Sequence, residues 1–299
     1  MKPKILAIYY SQSGQLANII ENFCAPLAEA GCIIDHVPIQ PVTPYPFPWS
    51  TDEFFNVMPD CVQGATIPLQ PFTLQFASYD LVIIGYQAWF LSPSIPVRSF
   101  LQEPSLQAVL KNTPVITITG ARNMWTNAFL KLRPLLQQAG ARQIGNIALV
   151  DRHPNLISIF TIFHWMKTAQ KTRWLNFFPK PGVSDADIIH THNFGTIVLP
   201  FLLNNKWDGL QQELMREHAL QLHFHLMFIE SKAGIMFSIW AKKITSSSNP
   251  KVWLKAFRYY LFIALFLLAP LVYLIDLLVF KPFLFRYTRR KKQALQVFD

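Results

Sequence analysis

The residues best able to do chemistry stand at the end of the first apolar run. Residues 5–10 (Ile-Leu-Ala-Ile-Tyr-Tyr) are followed by Ser11, Gln12, Ser13, Gly14 and Gln15, and then by a helical pattern. Glycine lets a backbone come close to a ligand, and the serines offer hydroxyls. The first N–H groups of a helix have no intrahelical acceptor, and the helix dipole favours an anion at the same spot. Together these residues can cradle a phosphate. A capped turn without a ligand has the same composition, so the motif alone leaves both readings open. The lysine of G-x-x-x-x-G-K-[ST] is missing, and so is G-x-G-x-x-G, which disfavours nucleoside triphosphates and the usual dinucleotide mode.

Two further apolar runs end in similar fashion. One leads into Gly85, Tyr86, Gln87, Ala88, Trp89 and Phe90; the other into Gly120, Ala121, Arg122, Asn123, Met124 and Trp125. Each stretch offers a glycine, polar groups and a large aromatic. Either tryptophan could be ordinary packing. Three such ends in order, one of them anion-binding, suit a flat ring on a phosphorylated stem held between Trp89 and Trp125. Ligands of open parallel sheets lie beyond the carboxyl ends of the strands, where the strand order reverses.

The elements that must position these loops alternate. Short apolar runs at 5–10, 32–37, 79–85, 114–119 and 144–150 read as strands buried on both faces. Between them Leu16, Ile19, Ile20, Phe23 and Leu27 recur at helical spacing, with Gly31 as a stop. Further helices are expected near 97–103, near 106–111 and up to Ala139 before Gly140. The sum is an α/β fold with a doubly wound, five-stranded parallel sheet. Residues 38–76, rich in proline, read as an inserted loop with one short helix near 52–58. Residues 153–241 read as a mainly helical extension covering the sheet, including a helix of roughly twenty residues N-capped by Asp208. The domain division expected is therefore 1–152, 153–241 and 242–299.

Composition sharpens this. Of 299 residues, 51% are apolar and 15% charged, against about 25% charged in ordinary soluble domains. Such a chain can bury a large core, which excludes disorder. Cys24, Cys32 and Cys61 are too few and odd in number for a disulfide scaffold. The net charge of +10 sits in the tail: residues 242–299 hold eleven Lys and Arg against Asp276 and Asp299. A nearly neutral body argues against nucleic acid, and the tail suits an anionic surface. Residues 259–280 form a 22-residue run with one charge, long enough as a helix to cross about 30 Å of hydrocarbon. Both flanks are basic and Pro270 divides the run. A re-entrant or in-plane hairpin on the cytoplasmic leaflet therefore fits better than a single span. The first apolar run is too short for a signal-peptide core, so the expected location is the cytoplasmic face of the inner membrane.

The run after the first strand resembles the FMN phosphate loop of flavodoxin-like proteins, and 86–90 and 121–125 lie where that family places its ring-binding loops. The resemblance covers roughly 1–152. It implies FMN as cofactor, held by Ser11, Gln12, Ser13, Gly14 and Gln15 with the two ring loops. Leu16 departs from the small hydroxyl residue common at that point, and the ring loops lack the acidic residues of carrier flavodoxins. The whole chain, with its basic tail, also resembles bacterial dialkylresorcinol condensing enzymes, flavodoxin-like partners of a ketosynthase. That resemblance implies oxidative aromatisation of a dialkyl cyclohexanedione to a dialkylresorcinol, with a ketosynthase as partner.

A two-chain lipid-like substrate needs an apolar groove, which Tyr45, Phe47, Trp49, Phe54, Phe55 and the segments 156–165 and 220–240 could supply. A proton beside a ketone yields to a base of near-neutral pKa; His153, His190 and His192 are candidates, and Arg122 could steady an enolate. Other readings stay open: a membrane-associated NAD(P)H:quinone or flavin reductase, a membrane-tethered electron carrier, or a scaffold without FMN. A homodimer is compatible with any of them. No metal is expected. His223 and His225 do not share a helix face; His190 and His192 could share the side of a strand but lack a third ligand. G-x-S-x-G is missing, which disfavours a serine hydrolase.

Overall fold

The computed structural model describes residues 2–268 and Leu271. In chain order the elements are β1 (Lys4–Tyr9), α1 (Gln15–Glu29), β2 (Ile33–Pro38), α2 (Thr51–Asn56), α3 (Met58–Gln63) and β3 (Leu81–Tyr86). Next come the two-residue strands β4 (Ala88–Trp89) and β5 (Ser92–Pro93), then α4 (Ile95–Phe100), α5 (Pro104–Leu110), β6 (Pro114–Ala121), α6 (Thr126–Gln138) and β7 (Arg142–Val150). The remainder is helical: α7 (Asn155–Thr168), a 3₁₀ turn (Trp174–Asn176), α8 (Asp185–Asn204), α9 (Leu210–Arg216), α10 (Phe224–Thr245), α11 (Pro250–Ile263) and a π-helical turn (Ala264–Leu268).

The main sheet runs β2-β1-β3-β6-β7 with every pair parallel. This is the 2-1-3-4-5 order of the flavodoxin-like doubly wound fold, whose switch point lies between β1 and β3. β3 is buried at all six positions, as expected of a strand covered on both faces. One face packs on α4, α5 and α6 through Phe100, Leu110, Phe129 and Leu132. The other packs on α1, α8 and α9 through Ile20, Phe23, Phe194 and Leu214. A third cluster joins α2 and α3 to α10 and α11 around Phe55, Met58, Phe237 and Phe257. The inserted segment thus carries two helices rather than one, and the start of the tail packs on them.

Two expectations need correction here. The long helix from Asp208 is a seven-residue α9, preceded by Gly209 at φ +84° with no side-chain cap. The chain then turns at His218 (φ +61°), and the Ala219 carbonyl accepts the Ala148 N–H at 2.8 Å. The backbone of 219–220 is recruited to cover the exposed edge of β7, which ends the helix early. His190 and His192 lie on α8, not on a strand. As for the apolar run 259–280, its described part divides between the end of α11 and the π-helical turn. Among the described residues no helix is long and apolar enough to cross a membrane. The rest of the run, with the hairpin expected around Pro270, lies outside the described residues.

α10 is anchored by a buried carboxylate. Glu230, 1% exposed, accepts from Thr126 Oγ1 at 2.5 Å and from the Asn127 N–H at 2.8 Å. Both donors stand in the first turn of α6, where the helix dipole favours a negative charge. Asn127 Nδ2 donates in turn to the Glu230 carbonyl at 2.6 Å. Truncating Glu230 to alanine strands these buried donors, and the expected loss is about 3 kcal/mol. A thermal melt should fall by on the order of 5–10 °C. A fall under about 2 °C would mean that the carboxylate does not hold the two helices together.

Candidate functional site

β1 delivers the chain to the switch point, and the turn that follows is built around Gly14. Its φ of +82° and ψ of −22° place it in the left-handed region as N-cap of α1, with no side-chain cap. A Cβ there would meet nothing within 4 Å. Glycine is thus required by the backbone, and the space in front of it is open. Asn18 N donates to the Gly14 carbonyl at 3.1 Å. Ser11 Oγ accepts from the Ala17 N–H at 3.2 Å, so this hydroxyl serves the helix. Among the described residues, the N–H groups of Ser13, Gly14, Gln15 and Leu16 have no protein acceptor.

The sides of the turn are fixed by distant segments. Gln12 Nε2 donates to the Pro46 carbonyl at 2.8 Å, tying the turn to the insert. Gln15 Oε1 accepts from the Val183 N–H at 3.0 Å. Gly182 sits so close that a Cβ would lie 2.6 Å from Gln15 Oε1 and 2.8 Å from the Trp165 ring. Its N–H donates to Asp151 Oδ2 at 3.2 Å.

A cavity of about 350 Å³ opens beside the turn, within the range of small-ligand pockets. Gln12, Ser13, Gln15 and Leu16 form one end, and residues 87–91 and 120–122 with Met124 line the strand ends. Apolar groups close the remainder: Phe47, Trp49 and Phe54 from the insert, Ile159 and Phe163 from α7, Phe237 from α10 and Leu261 from α11. Arg122 is the single charged residue among the described residues lining it. Its Nη1 donates to Asn155 Oδ1 at 2.6 Å and to Ser158 Oγ at 3.2 Å, both from α7. Burial lowers its pKa to about 10, against the opposing pull of Asp151 and Glu230, so it stays cationic at neutral pH. Gln87 also faces the cavity, and its Oε1 is buried without a partner.

Trp89 stands in an aromatic box. Its ring meets Tyr10, Tyr45 and Trp49 edge-on at 5.9, 5.0 and 5.3 Å. It belongs to the small hairpin β4–β5, turned by Phe90 (φ +45°) and Leu91 (φ +59°). Two adjacent left-handed residues are the mark of a primed turn, normally built from Asn and Gly. Nothing in Phe-Leu announces such a turn. Cys61 Sγ donates to the Trp89 carbonyl at 3.2 Å, and Lys131 Nζ donates to Ser92 Oγ at 2.7 Å. These contacts hold the strained turn from outside. Burial pushes the Cys61 thiol up to about 12, so it stays protonated and acts as a donor.

Several expected site residues are placed elsewhere. Trp125 is 1% exposed and packs at 6.0 Å against Phe129, in the core beneath the sheet. It caps the start of α6, and its side chain turns toward the α6 face of the core. The expected seat between two indoles is therefore not formed; Trp89 faces the cavity alone of the pair. Tyr86 lies in the same core, its hydroxyl buried without a partner. Asn123 does not line the cavity and donates to Asn155 Oδ1 at 2.7 Å. His153 is held by Asp151, with Nδ1 2.6 Å from Oδ1, but lies outside the lining. His190 and His192 sit on the outside of α8, 3.7 Å from Glu217 and 3.9 Å from Glu29. Conversely, sequence reasoning missed Gly182 and Val183 beside the cradle. Only the proline and glycine at 181–182 hint at a turn there.

No family model matches the chain, and no curated protein matches it. Among solved structures it is similar to a flavoprotein in complex with FMN from Lactobacillus acidophilus. That likeness has 17% identity and a TM-score of 0.40, over 49% of this chain and 93% of that one. A flavodoxin from the domain Archaea gives 10% identity and a TM-score of 0.37, over 67% and 99%. A flavone reductase gives 10% and 0.37, over 73% and 66%. The strand order, rather than any of these likenesses, defines the fold as flavodoxin-like.

Proposed function

We propose that this chain is an FMN-dependent oxidoreductase acting on an apolar cyclic ketone. The observation carrying the reading is the continuity of two features: a cradle of unpartnered amides opens directly into an apolar cavity at the sheet's switch point. The residues fit the cofactor. The amides of Ser13, Gly14, Gln15 and Leu16, with the Ser13 hydroxyl, would hold its phosphate. Leu16 offers no hydroxyl and Ser11 is engaged by α1, so the main chain carries most of that grip. Gln87 Oε1, an orphaned buried acceptor, suits the single ring N–H of an isoalloxazine, and Trp89 offers an aromatic edge. When bound, FMN supplies a hydride acceptor.

The chain's own residues do the rest. The walls from α7, α10 and α11 are apolar side chains, which favours an apolar small-molecule substrate over a protein electron partner. Arg122, the one cation lining the cavity among the described residues, would steady negative charge on a substrate oxygen as a proton leaves the adjacent carbon. None of the three candidate histidines lines the cavity, so no histidine is assigned as base. The finer reading is oxidation of a dialkyl cyclohexanedione to a dialkylresorcinol, in keeping with the family resemblance and the apolar walls.

The test is to titrate the purified chain with FMN, then mix the complex anaerobically with a dialkyl cyclohexane-1,3-dione. Bleaching of the flavin with one equivalent of a product two hydrogens lighter is the expected result. Flavin that ignores the dione but is reduced by NADPH and reoxidised by a quinone would favour a quinone reductase instead. A chain that takes up no FMN would overturn the proposal.

A further inference from the structure

Between α7 and α8, residues 174–178 present an apolar surface that takes no part in the cradle. Leu175 (φ +52°) and Asn176 (φ +55°) are adjacent left-handed residues, a conformation that costs energy for a side chain such as leucine. The result is outward display: Leu175 is 71% exposed and Phe177 84%. The surface continues from there as a chain of ring contacts. Phe177 meets Phe178 at 5.4 Å, Phe178 meets Phe160 of α7 at 6.3 Å, and Phe160 meets Phe266 of the π-helical turn at 5.3 Å. Leu156 of α7, Phe262 and Ile263 at the end of α11, and Leu267 and Leu268 of the π-helical turn are exposed as well. Soluble monomers seldom show so large a contiguous apolar patch without a partner.

Charge identifies the partner. Residues 167–180 contain Lys167, Lys171, Arg173 and Lys180 and no acid. Lys171 and Lys180 share Asp185; Lys167 and Arg173 are exposed with no carboxylate in ion-pair reach among the described residues. The sequence that follows the π-helical turn is apolar as far as Phe280 but for Asp276. Lys281, Arg286, Arg289, Arg290, Lys291 and Lys292 follow. Exposed aromatic and aliphatic groups in a segment that also carries Lys167, Lys171, Arg173 and Lys180 suit the boundary of an anionic bilayer.

We propose that 174–178, the outer side of α7 and the Ala264–Leu268 turn together dock the protein on an anionic lipid bilayer. The same two helical elements turn Ile159, Phe163, Ala264 and Leu265 into the cavity. An apolar substrate dissolved in the bilayer would then have only their thickness to pass. The docking surface stands independently of the FMN reading.

The experiment uses the full chain with an environment-sensitive fluorophore on Phe177→Cys, and on Gln137→Cys at the opposite end of the sheet. Cys24, Cys32 and Cys61 are buried, so the introduced thiol takes the label. With phosphatidylcholine vesicles containing phosphatidylglycerol, the label at 177 should shift to the blue while that at 137 does not. Vesicles of phosphatidylcholine alone should bind at least tenfold more weakly. The double variant Leu175→Glu/Phe177→Glu, folded by its thermal melt, should lose at least tenfold in affinity for the anionic vesicles. Three outcomes would overturn the proposal: no binding to anionic vesicles, a water-exposed label at 177 on the bound protein, or a blue label before any lipid is added. The last would mean that residues 272–299 or a second copy cover the patch.

Discussion

With FMN seated in the cradle as proposed, an aspartate in place of Gly14 is expected to abolish its binding, while an asparagine at the same position should leave most of it. The two side chains are nearly identical in size, and a side chain there finds open space. Both must adopt φ +82°, and both belong to the few residue types that visit that region. Backbone strain is therefore shared, and the difference is one negative charge beside a phosphate dianion. At about 4 Å and the effective dielectric of a protein surface, two unit charges repel by about 4 kcal/mol and a single charge against a dianion by about twice that, before salt screening cuts it down. A loss of about 100-fold in affinity, or about 2.7 kcal/mol, is the expected gap between the variants. Titration of each apoprotein by flavin fluorescence quenching measures it. Equal affinities would place the phosphate elsewhere and remove the basis of the cofactor assignment.

The second large effect is structural and lies behind the cradle. Gly195 of α8 faces α1 so closely that a Cβ would stand 2.1 Å from the Phe23 carbonyl oxygen and 2.7 Å from Pro26 Cγ. Ordinary contact begins at 3.4 Å. The first obstacle is backbone, so it cannot rotate aside. Nearby, Thr191 Oγ1 donates to the Ile19 carbonyl at 3.2 Å, which resists separation of the helices. Gly195→Ala must force α8 off α1 and is expected to cost about 3 kcal/mol, the upper range for overpacking. A thermal melt should fall by on the order of 10 °C. FMN affinity should fall with it, because α1 supplies the amides of Gln15 and Leu16. A change under about 1 kcal/mol would show that the helix pair can separate freely.

These two glycines show how unevenly the molecule can be read from its residues. Gly14 is legible: it follows a short apolar strand, stands between polar residues and precedes a periodic helix. Gly195 is not. Inside a helix, glycine reads only as a weak helix former, and its use appears when a second helix comes within van der Waals contact. The tryptophans divide likewise. Trp89 and Trp125 follow glycine-started loops of similar composition, yet one faces the cavity and the other the core. Loop residues have no periodicity to say which way a side chain turns.

The sequence by itself determined the five sheet strands and the phosphate-type turn at the end of β1. These are local properties: runs of β-formers buried on both faces, helical spacing between them, and one glycine needing a positive φ. Their order across the sheet, with its switch point between β1 and β3, came with the tertiary structure. So did the cavity, whose walls come from positions as distant as Gln12 and Leu265. Long-range packing also put Arg122 at the apolar wall, bent Phe90 and Leu91 into a primed turn and ended α9 at the edge of β7. Side-chain patterns record which residues avoid water; which of them meet each other depends on closing loops of hundreds of residues, a free energy no short stretch of sequence expresses.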